Sequence, residues 1–186
     1  MKKSVITILA IIITALSAQA QDKSNKEKLT SDINIFLNVN DSVKAQIGMM
    51  HADYYRIKDA LVKEDDKSAG NNAKEFRKTL ERVNVEKMDA AQQSFFIPVK
   101  EKLDKDAEHI QGSSDIEHMR ERFVSFSENM WAVVKSFNAG SGKPIYWVHC
   151  PMYKKGANWM SSEAPVKNPY YGKKMLTCGK ITETIK

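Results

Sequence analysis

Apolar side chains recur every three or four residues through most of this chain, in four successive runs between residues 41 and 138. This period places the apolar groups of each run on one face of an α-helix. The clearest run is Ile116, Met119, Phe123, Phe126, Met130, Val133 and Phe137. The spacing predicts four helices, at about 41–63, 66–83, 87–111 and 114–138.

Residues at the ends of these runs are typical of helix boundaries and breaks. Asp41 or Ser42 is expected to cap the first helix. Asp65 or Asp66 is expected to cap the second. Pro98 lies inside the third run, where it is expected to kink or restart the helix because it has no amide donor.

The last part of the chain differs in composition from the helical runs. Residues 145–148 read Ile-Tyr-Trp-Val, which favours a β-strand, and turn-forming glycines and prolines follow. We therefore predict a mainly α fold in which an antiparallel four-helix bundle at 41–140 carries a small C-terminal strand and loop unit at 144–186. Both parts are expected to belong to a single domain at 41–186.

Residues 1–20 have the three parts of a secretory signal peptide. A basic start, Met1-Lys2-Lys3, is followed by an apolar run from Val5 to Leu16 and by Ala18-Gln19-Ala20, a small-residue cleavage site. The apolar run is shorter than the ~20 residues that span a bilayer. We predict cleavage after Ala20, a periplasmic or secreted location, and no membrane span in the mature chain.

The mature chain is predicted to begin with a polar leader at residues 21–40. In its second half Ile33, Ile35, Leu37 and Val39 alternate with other residues. A period of two predicts a short strand or an extended segment lying on the domain.

Charge and motifs argue against two large classes of protein. Loss of Lys2 and Lys3 from the 29 basic residues leaves 27 against 23 acidic ones, with no dense basic run, so no nucleic-acid partner is expected. No GxSxG, P-loop, HExxH or dinucleotide fingerprint is present. On a strand, His149 and Cys150 point to opposite faces, which makes His149 a poor base for that thiol. We predict that the protein is not an enzyme.

The two cysteines of the chain each have a methionine close by, and both pairs lie in the C-terminal unit. Cys150 and Met152 are two residues apart, a spacing that places both on one face of a strand. Met175 and Cys178 are three apart, which one helical turn or a tight loop brings together. Convergence of these four residues would form a soft donor set that selects copper(I) or silver(I).

Other residues near the cysteines are expected to support such a site. His149 and Met160 are candidate additional donors. Four lysines flank the cysteines: Lys154, Lys155, Lys173 and Lys174. Their positive charge is expected to lower the pKa values of the thiols and keep them deprotonated near neutral pH.

A disulfide is the alternative use of the same two cysteines. An exported protein with two cysteines is a natural candidate, because the periplasm oxidises thiols. Closing the loop between Cys150 and Cys178 would contribute about 3–4 kcal/mol to stability. The spacing alone does not decide between a disulfide and a metal site, and the pair is also compatible with switching between them.

Four stretches of the sequence carry a resemblance to a known family. They are YYRIKDALVKEDD (54–66), ERFVSFSENMWAVVKSF (121–137), VHCPMYKKGANWMS (148–161) and NPYYGKKMLTCG (168–179). Together they resemble a domain of unknown function that occurs in small exported proteins and as an appendage of periplasmic adaptor subunits of heavy-metal (copper/silver) efflux systems. The resemblance extends over roughly residues 43–186.

This resemblance implies periplasmic binding or delivery of a heavy metal by Cys150, Met152, Met175 and Cys178. The implied partner is a heavy-metal efflux adaptor or another envelope protein. The chain lacks the hairpin and barrel domains of the adaptors themselves, which indicates a free-standing partner. A non-catalytic interaction domain, stapled by a disulfide, is the second function that the sequence leaves open.

Overall fold

The computed structural model describes residues 33–140 and 142–186. The signal peptide predicted at residues 1–20 and the first part of the predicted leader lie outside the described residues. Ile35–Lys186 form one compact unit. Within the described part of the chain, no helix has both the length and the apolar character that crossing a membrane requires.

Four α-helices make up most of the described residues, so the prediction of a mainly α fold is confirmed. They are α1 (Asp41–Lys63), α2 (Asp66–Glu81), α3 (Ala90–Gly112) and α4 (Ile116–Ser136). Consecutive helices pack against each other, and α1 also packs against α4. Their apolar stripes meet in a core in which Phe76, Phe123 and Phe126 are fully buried.

Tyr54 of α1 connects this aromatic core to the C-terminal unit. Its ring stacks on Phe123 at 5.3 Å and on Phe126 at 5.8 Å between centroids. Its hydroxyl hydrogen-bonds Ser127 Oγ at 2.9 Å and accepts the backbone N–H of Met160 at 2.9 Å. Because the hydroxyl is satisfied, the tyrosine can be buried completely without the cost of an unpaired polar group.

Polar side chains cap the first turns of the helices. Asp65 caps α2, as predicted, by accepting the backbone N–H of Ser68 at 2.9 Å. α1 is capped by Asn40, so the prediction of Asp41 or Ser42 is wrong by one or two positions. Asn40 Oδ1 accepts both the backbone N–H of Ser42 at 3.0 Å and its hydroxyl at 2.7 Å, which holds Ser42 inside the first turn.

The start of α3 is set by a capping box, three residues later than predicted. Asp89 accepts the backbone N–H of Gln92 at 2.8 Å, and the Gln92 side chain accepts the backbone N–H of Asp89 at 3.3 Å. The residues before it, Val85–Lys87, form a 3₁₀ turn. The apolar period alone does not distinguish such a turn from the first turn of an α-helix.

Pro98 does not restart α3, which runs without a break from Ala90 to Gly112. Proline removes one hydrogen bond from the helix interior. Phe96 and Val99 on either side of Pro98 are buried in the core.

The C-terminal unit is a small antiparallel sheet with strand order β2-β1-β3. Its strands are β1 (Ile145–Cys150), β2 (Ala157–Ser161) and β3 (Lys180–Ile185). Trp147 pairs with Met160 and His149 with Asn158, so these four residues share one face of the sheet. The opposite face carries the alternate residues Val148, Cys150, Ala157 and Trp159.

The face that carries Trp147 packs on α4. The indole of Trp147 stacks on that of Trp131 at 4.8 Å and 7°. Lys135 Nζ lies 2.5 Å from Glu183 Oε1 of β3. The contacts that hold the sheet on the helices include this aromatic stack, this ion pair and the hydrogen bond from β2 to Tyr54.

Residues 33–40, the described part of the segment before α1, contain no strand. Instead, the backbone N–H of Phe36 donates to the carbonyl of Ser136 at 2.7 Å, and the Phe36 ring lies 5.1 Å from that of Phe137. Leu37 is 88% exposed. The predicted strand is therefore absent from these residues, and the segment contacts the domain through Phe36, which meets other aromatic rings, rather than through Ile35 or Leu37.

Candidate functional site

The two cysteines lie together, although they are 28 positions apart in the sequence. Their Sγ atoms are 3.2 Å apart, and both are free thiols. Cys150 is the last residue of β1 and is wholly buried, whereas Cys178 lies in the turn before β3 and is partly exposed. A covalent S–S bond is about 2.05 Å, so this pair is in non-covalent contact. The distance is compatible both with disulfide formation and with shared binding of a metal ion.

Asn168 holds the loop that carries Cys178. Its backbone N–H donates to the carbonyl of Leu176 at 2.8 Å, and its side-chain Nδ2 donates to the carbonyl of Cys178 at 2.7 Å. Its Oδ1 accepts the backbone N–H of Tyr170 at 2.7 Å. Asn168 is fully buried, so these bonds form away from competing water and fix the position of Cys178.

The residue after Cys178 must be small for the loop to reach β1. Gly179 has a φ of +152°, and a Cβ at this position would lie 2.7 Å from Cη2 of Trp159 and 3.1 Å from Cγ1 of Val148. The backbone of Gly179 therefore packs directly on the sheet face that carries Cys150.

Arg120 ties the same loop to the helices, and nothing in its sequence context singles it out. Its side chain is 2% exposed. Nε donates to the carbonyl of Pro169 at 2.9 Å and Nη2 to the carbonyl of Leu61 at 3.3 Å. Nη1 donates to Glu117 Oε1 at 2.6 Å. One buried guanidinium thus joins the end of α1, α4 and the loop.

Met152 and Met175 are both on the surface close to Cys178. Met152 is 58% exposed and Met175 is 38% exposed. The backbone N–H of Cys178 donates to the carbonyl of Met175 at 3.0 Å, and the backbone N–H of Met152 hydrogen-bonds the Cys178 thiol. The sequence predicted Met152 on the strand beside Cys150. That prediction is wrong, because β1 ends at Cys150 and a turn begins at Pro151.

Met160 and His149 do not join the thiol pair. Met160 is fully buried on the sheet face that packs against α4, as the partner of Trp147. His149 is on that same face, opposite to Cys150, as its sequence position predicts.

Residues 50–142 match the family described as protein of unknown function (DUF3347). The chain belongs to this family. No curated protein and no solved structure matches it. The matched DUF3347 residues include most of the four helices and end before β1, so both cysteines lie outside them. The association with exported proteins and efflux adaptors stays a prediction.

The sheet that follows the DUF3347 match contains a chain of polar contacts on its helix-facing side. Asn158 Nδ2 donates to Glu128 Oε1 of α4 at 2.8 Å, and Asn158 Oδ1 lies 2.7 Å from His149 Nδ1. Because a carboxylate only accepts, the bond to Glu128 sets the orientation of the Asn158 amide and leaves Oδ1 as the acceptor for His149. The tautomer of a neutral imidazole that fits this acceptor carries its hydrogen on Nδ1.

The surroundings of Cys178 raise the pKa of its thiol. The main cause is its hydrogen bond to Cys150, followed by burial and by the nearby Cys150 charge, while the backbone N–H of Met152 acts in the opposite direction. The prediction that flanking lysines lower the thiol pKa is therefore wrong for Cys178. Lys154 instead pairs with Glu121 of the DUF3347 region at 2.5 Å.

No third donor of the usual metal-binding types lies beside the two thiols. Within residues 33–140 and 142–186, no three His, Cys, Asp or Glu side chains are grouped as metal ligands. Met152 and Met175, whose backbones contact Cys178, remain the candidate donors to complete a ligand set with Cys150 and Cys178.

Proposed function

We propose that the reduced protein binds one copper(I) or silver(I) ion through Cys150 and Cys178. The observation that carries this proposal is the 3.2 Å separation of the two Sγ atoms. Two thiolates supply the negative charge that offsets a monovalent cation, and sulfur donors select soft ions over magnesium, calcium or manganese. Met152 and Met175 are proposed to complete the ligand shell.

The exposure of the site supports exchange of the ion rather than permanent storage. Cys178, Met152 and Met175 lie at the surface, while Cys150 is buried behind them. A partner with soft ligands could approach the ion from the side of the two methionines. We therefore propose buffering or delivery of the metal, linked to heavy-metal efflux outside the cytoplasm, without a catalytic step.

The helical part is proposed to serve as a scaffold for this site. The connection between α1 and α2 is two residues long and that between α3 and α4 is three, lengths typical of antiparallel neighbours. We propose that the four helices form an antiparallel bundle. Arg120 on α4 and Tyr54 on α1 would then support the sheet and loop that carry the thiols.

The 3.2 Å distance between the Sγ atoms of Cys150 and Cys178 also favours a second candidate function. Oxidation of the same pair would staple residues 150 and 178 and make the protein a non-catalytic interaction domain of the cell envelope. This candidate needs no metal, and it predicts that protein purified without reductant has no free thiol.

The decisive experiment is a copper(I) titration of the reduced mature protein against a competing chromophoric chelator. We expect one bound ion per chain, and loss of tight binding in Cys150→Ser and in Cys178→Ser. Met152→Leu and Met175→Leu should weaken binding more modestly. Met49→Leu is the matched control, because Met49 is 53% exposed and lies on α1.

Two results would redirect the proposal. If the double cysteine variant holds one equivalent of copper(I) as tightly as the unaltered protein, the site lies elsewhere. If the reduced protein does not compete with the chelator and the protein prepared without reductant lacks free thiols, the disulfide-stapled interaction domain is the better function.

A further inference from the structure

The two thiols of the pair differ in their access to solvent. Cys150 is fully buried at the end of β1, beneath the loop that Asn168 holds in place. Cys178 lies 3.2 Å from it and is partly exposed. Thiol–disulfide exchange requires the attacking thiolate to reach a sulfur atom of the other molecule, so only Cys178 is placed to react first.

We propose that the pair carries out thiol–disulfide exchange in a fixed order, with Cys178 as the entry thiol and Cys150 as the resolving thiol. The oxidant class is an external disulfide, either a small molecule or an exposed disulfide of another protein. This activity needs no metal and is independent of the copper(I) proposal.

The first step forms a mixed disulfide. The Cys178 thiol loses its proton, its sulfur attacks one sulfur of R–S–S–R, and the external S–S bond breaks. One RS⁻ leaves and takes up a proton as RSH. The products are Cys178–S–S–R and one RSH.

The second step closes the internal disulfide. Cys150, whose sulfur lies within contact of Cys178 Sγ, loses its proton and attacks that atom. The mixed disulfide breaks, and the second RS⁻ leaves as RSH. In total the protein dithiol loses two electrons and two protons, and the external disulfide is reduced to two RSH.

The same reaction would control access of a soft metal to the site. A disulfide between Cys150 and Cys178 removes both thiolates, so the oxidised protein offers only thioethers to an ion.

The experiment treats the full reduced chain with oxidised glutathione in metal-free buffer and follows the intact mass with time. We expect the unaltered protein to lose two hydrogens with little glutathione adduct. Cys150→Ser should accumulate one glutathione at Cys178, because the resolving thiol is missing. Cys178→Ser should form its adduct at least about tenfold more slowly, because buried Cys150 can react only after the structure around it opens locally.

Two controls protect the interpretation. In denaturant the two single variants should react at similar rates, which shows that burial causes the difference. In the unaltered protein, substoichiometric iodoacetamide followed by peptide mapping should label Cys178 ahead of Cys150, a test that does not depend on a variant folding.

The proposal is overturned if native Cys178→Ser forms its adduct as fast as Cys150→Ser, or if iodoacetamide labels Cys150 first. A stable glutathione adduct on the unaltered protein would also overturn it, since Cys150 would then fail to resolve. None of these results bears on copper(I) binding, which is measured separately on reduced protein.

Discussion

Arg120 of α4 donates a hydrogen bond from Nε to the carbonyl of Pro169, which places a helix side chain directly under the loop that ends in Cys178. The same guanidinium reaches the carbonyl of Leu61 and the carboxylate of Glu117. A buried arginine is costly unless its donors are paired, and this one is paired by three elements of the fold. It therefore determines how the thiol-bearing loop sits on the helices.

Arg120→Met should destabilise the protein by about 2–4 kcal/mol, because two buried carbonyls lose their donor. Urea denaturation measures this loss. Arg77→Met is the matched control and should cost about 1 kcal/mol or less, because Arg77 makes a partly exposed ion pair with Asp104. Equal losses in the two variants would contradict the role given to Arg120.

Gly172→Ala should destabilise the protein by about 1–3 kcal/mol, because Gly172 has a left-handed φ of +53°. A Cβ there would also lie 2.6 Å from Arg120 Nη2 and 2.8 Å from Glu64 Cγ. The control is Gly48→Ala within α1, where no atom outside the adjoining residues and the local helix backbone lies within 4 Å of the added Cβ. Gly48→Ala should stabilise the helix by about 0.5–1 kcal/mol. Thermal unfolding of both variants should show shifts of opposite sign.

His51 should make the stability of the protein depend on pH. It is 3% exposed, and its Nε2 has no hydrogen-bond partner among the described residues. Burial lowers its pKa from 6.5 to about 4. Between these values the unfolded chain binds more protons than the folded one. The stability that comes from burying neutral His51 is therefore fully present above pH 6.5 and is lost as the pH falls towards 4. The full loss corresponds to about 3 kcal/mol.

The measurement compares urea denaturation at pH 7 and near pH 4.5 for the unaltered protein and for His51→Leu. Carboxylates contribute to the pH dependence of both proteins, so the difference between them isolates the imidazole. His51→Leu should lose less stability on acidification than the unaltered protein. An identical acid response in His51→Leu would sink this assignment.

The imidazole of His149 should carry its proton on Nδ1 when it is neutral. Asn158 Oδ1 accepts from it because the amide nitrogen of Asn158 is bonded to Glu128. Long-range ¹H–¹⁵N NMR spectra distinguish the two ring nitrogens and should show a protonated Nδ1. In Asn158→Leu the preference of His149 for a proton on Nδ1 should weaken, and a mixture of the two tautomers should appear. A neutral imidazole protonated mainly on Nε2 in the unaltered protein would mean that the Asn158 amide is reversed.

The helices could be predicted from the sequence because their determinants are local. The three- to four-residue apolar period identified all four of them, and Asp65 identified the start of α2. The start of α3 was missed because two local signals compete there, and the capping box of Asp89 and Gln92 outweighs the apolar pattern before it.

The thiol site could be predicted only in part. The spacing of Cys150 and Cys178 in the sequence allowed their contact but could not require it, since they are 28 positions apart. Met152 was misplaced because strand alternation was extended past Cys150, into a turn. Met160 was a reasonable donor by composition, yet its register against Trp147 turns it to the other face of the sheet.

The sequence by itself determined where helices form and which faces they bury, because residues three or four apart meet on one helix without help from the rest of the chain. Only the tertiary structure decided that the two thiols meet, that one is buried and the other partly exposed, and that Arg120 and Asn168 hold the loop between them. Those relations depend on contacts between parts of the chain that are distant in sequence, such as Arg120 with Pro169 and Cys150 with Cys178, and not on any pattern in neighbouring residues.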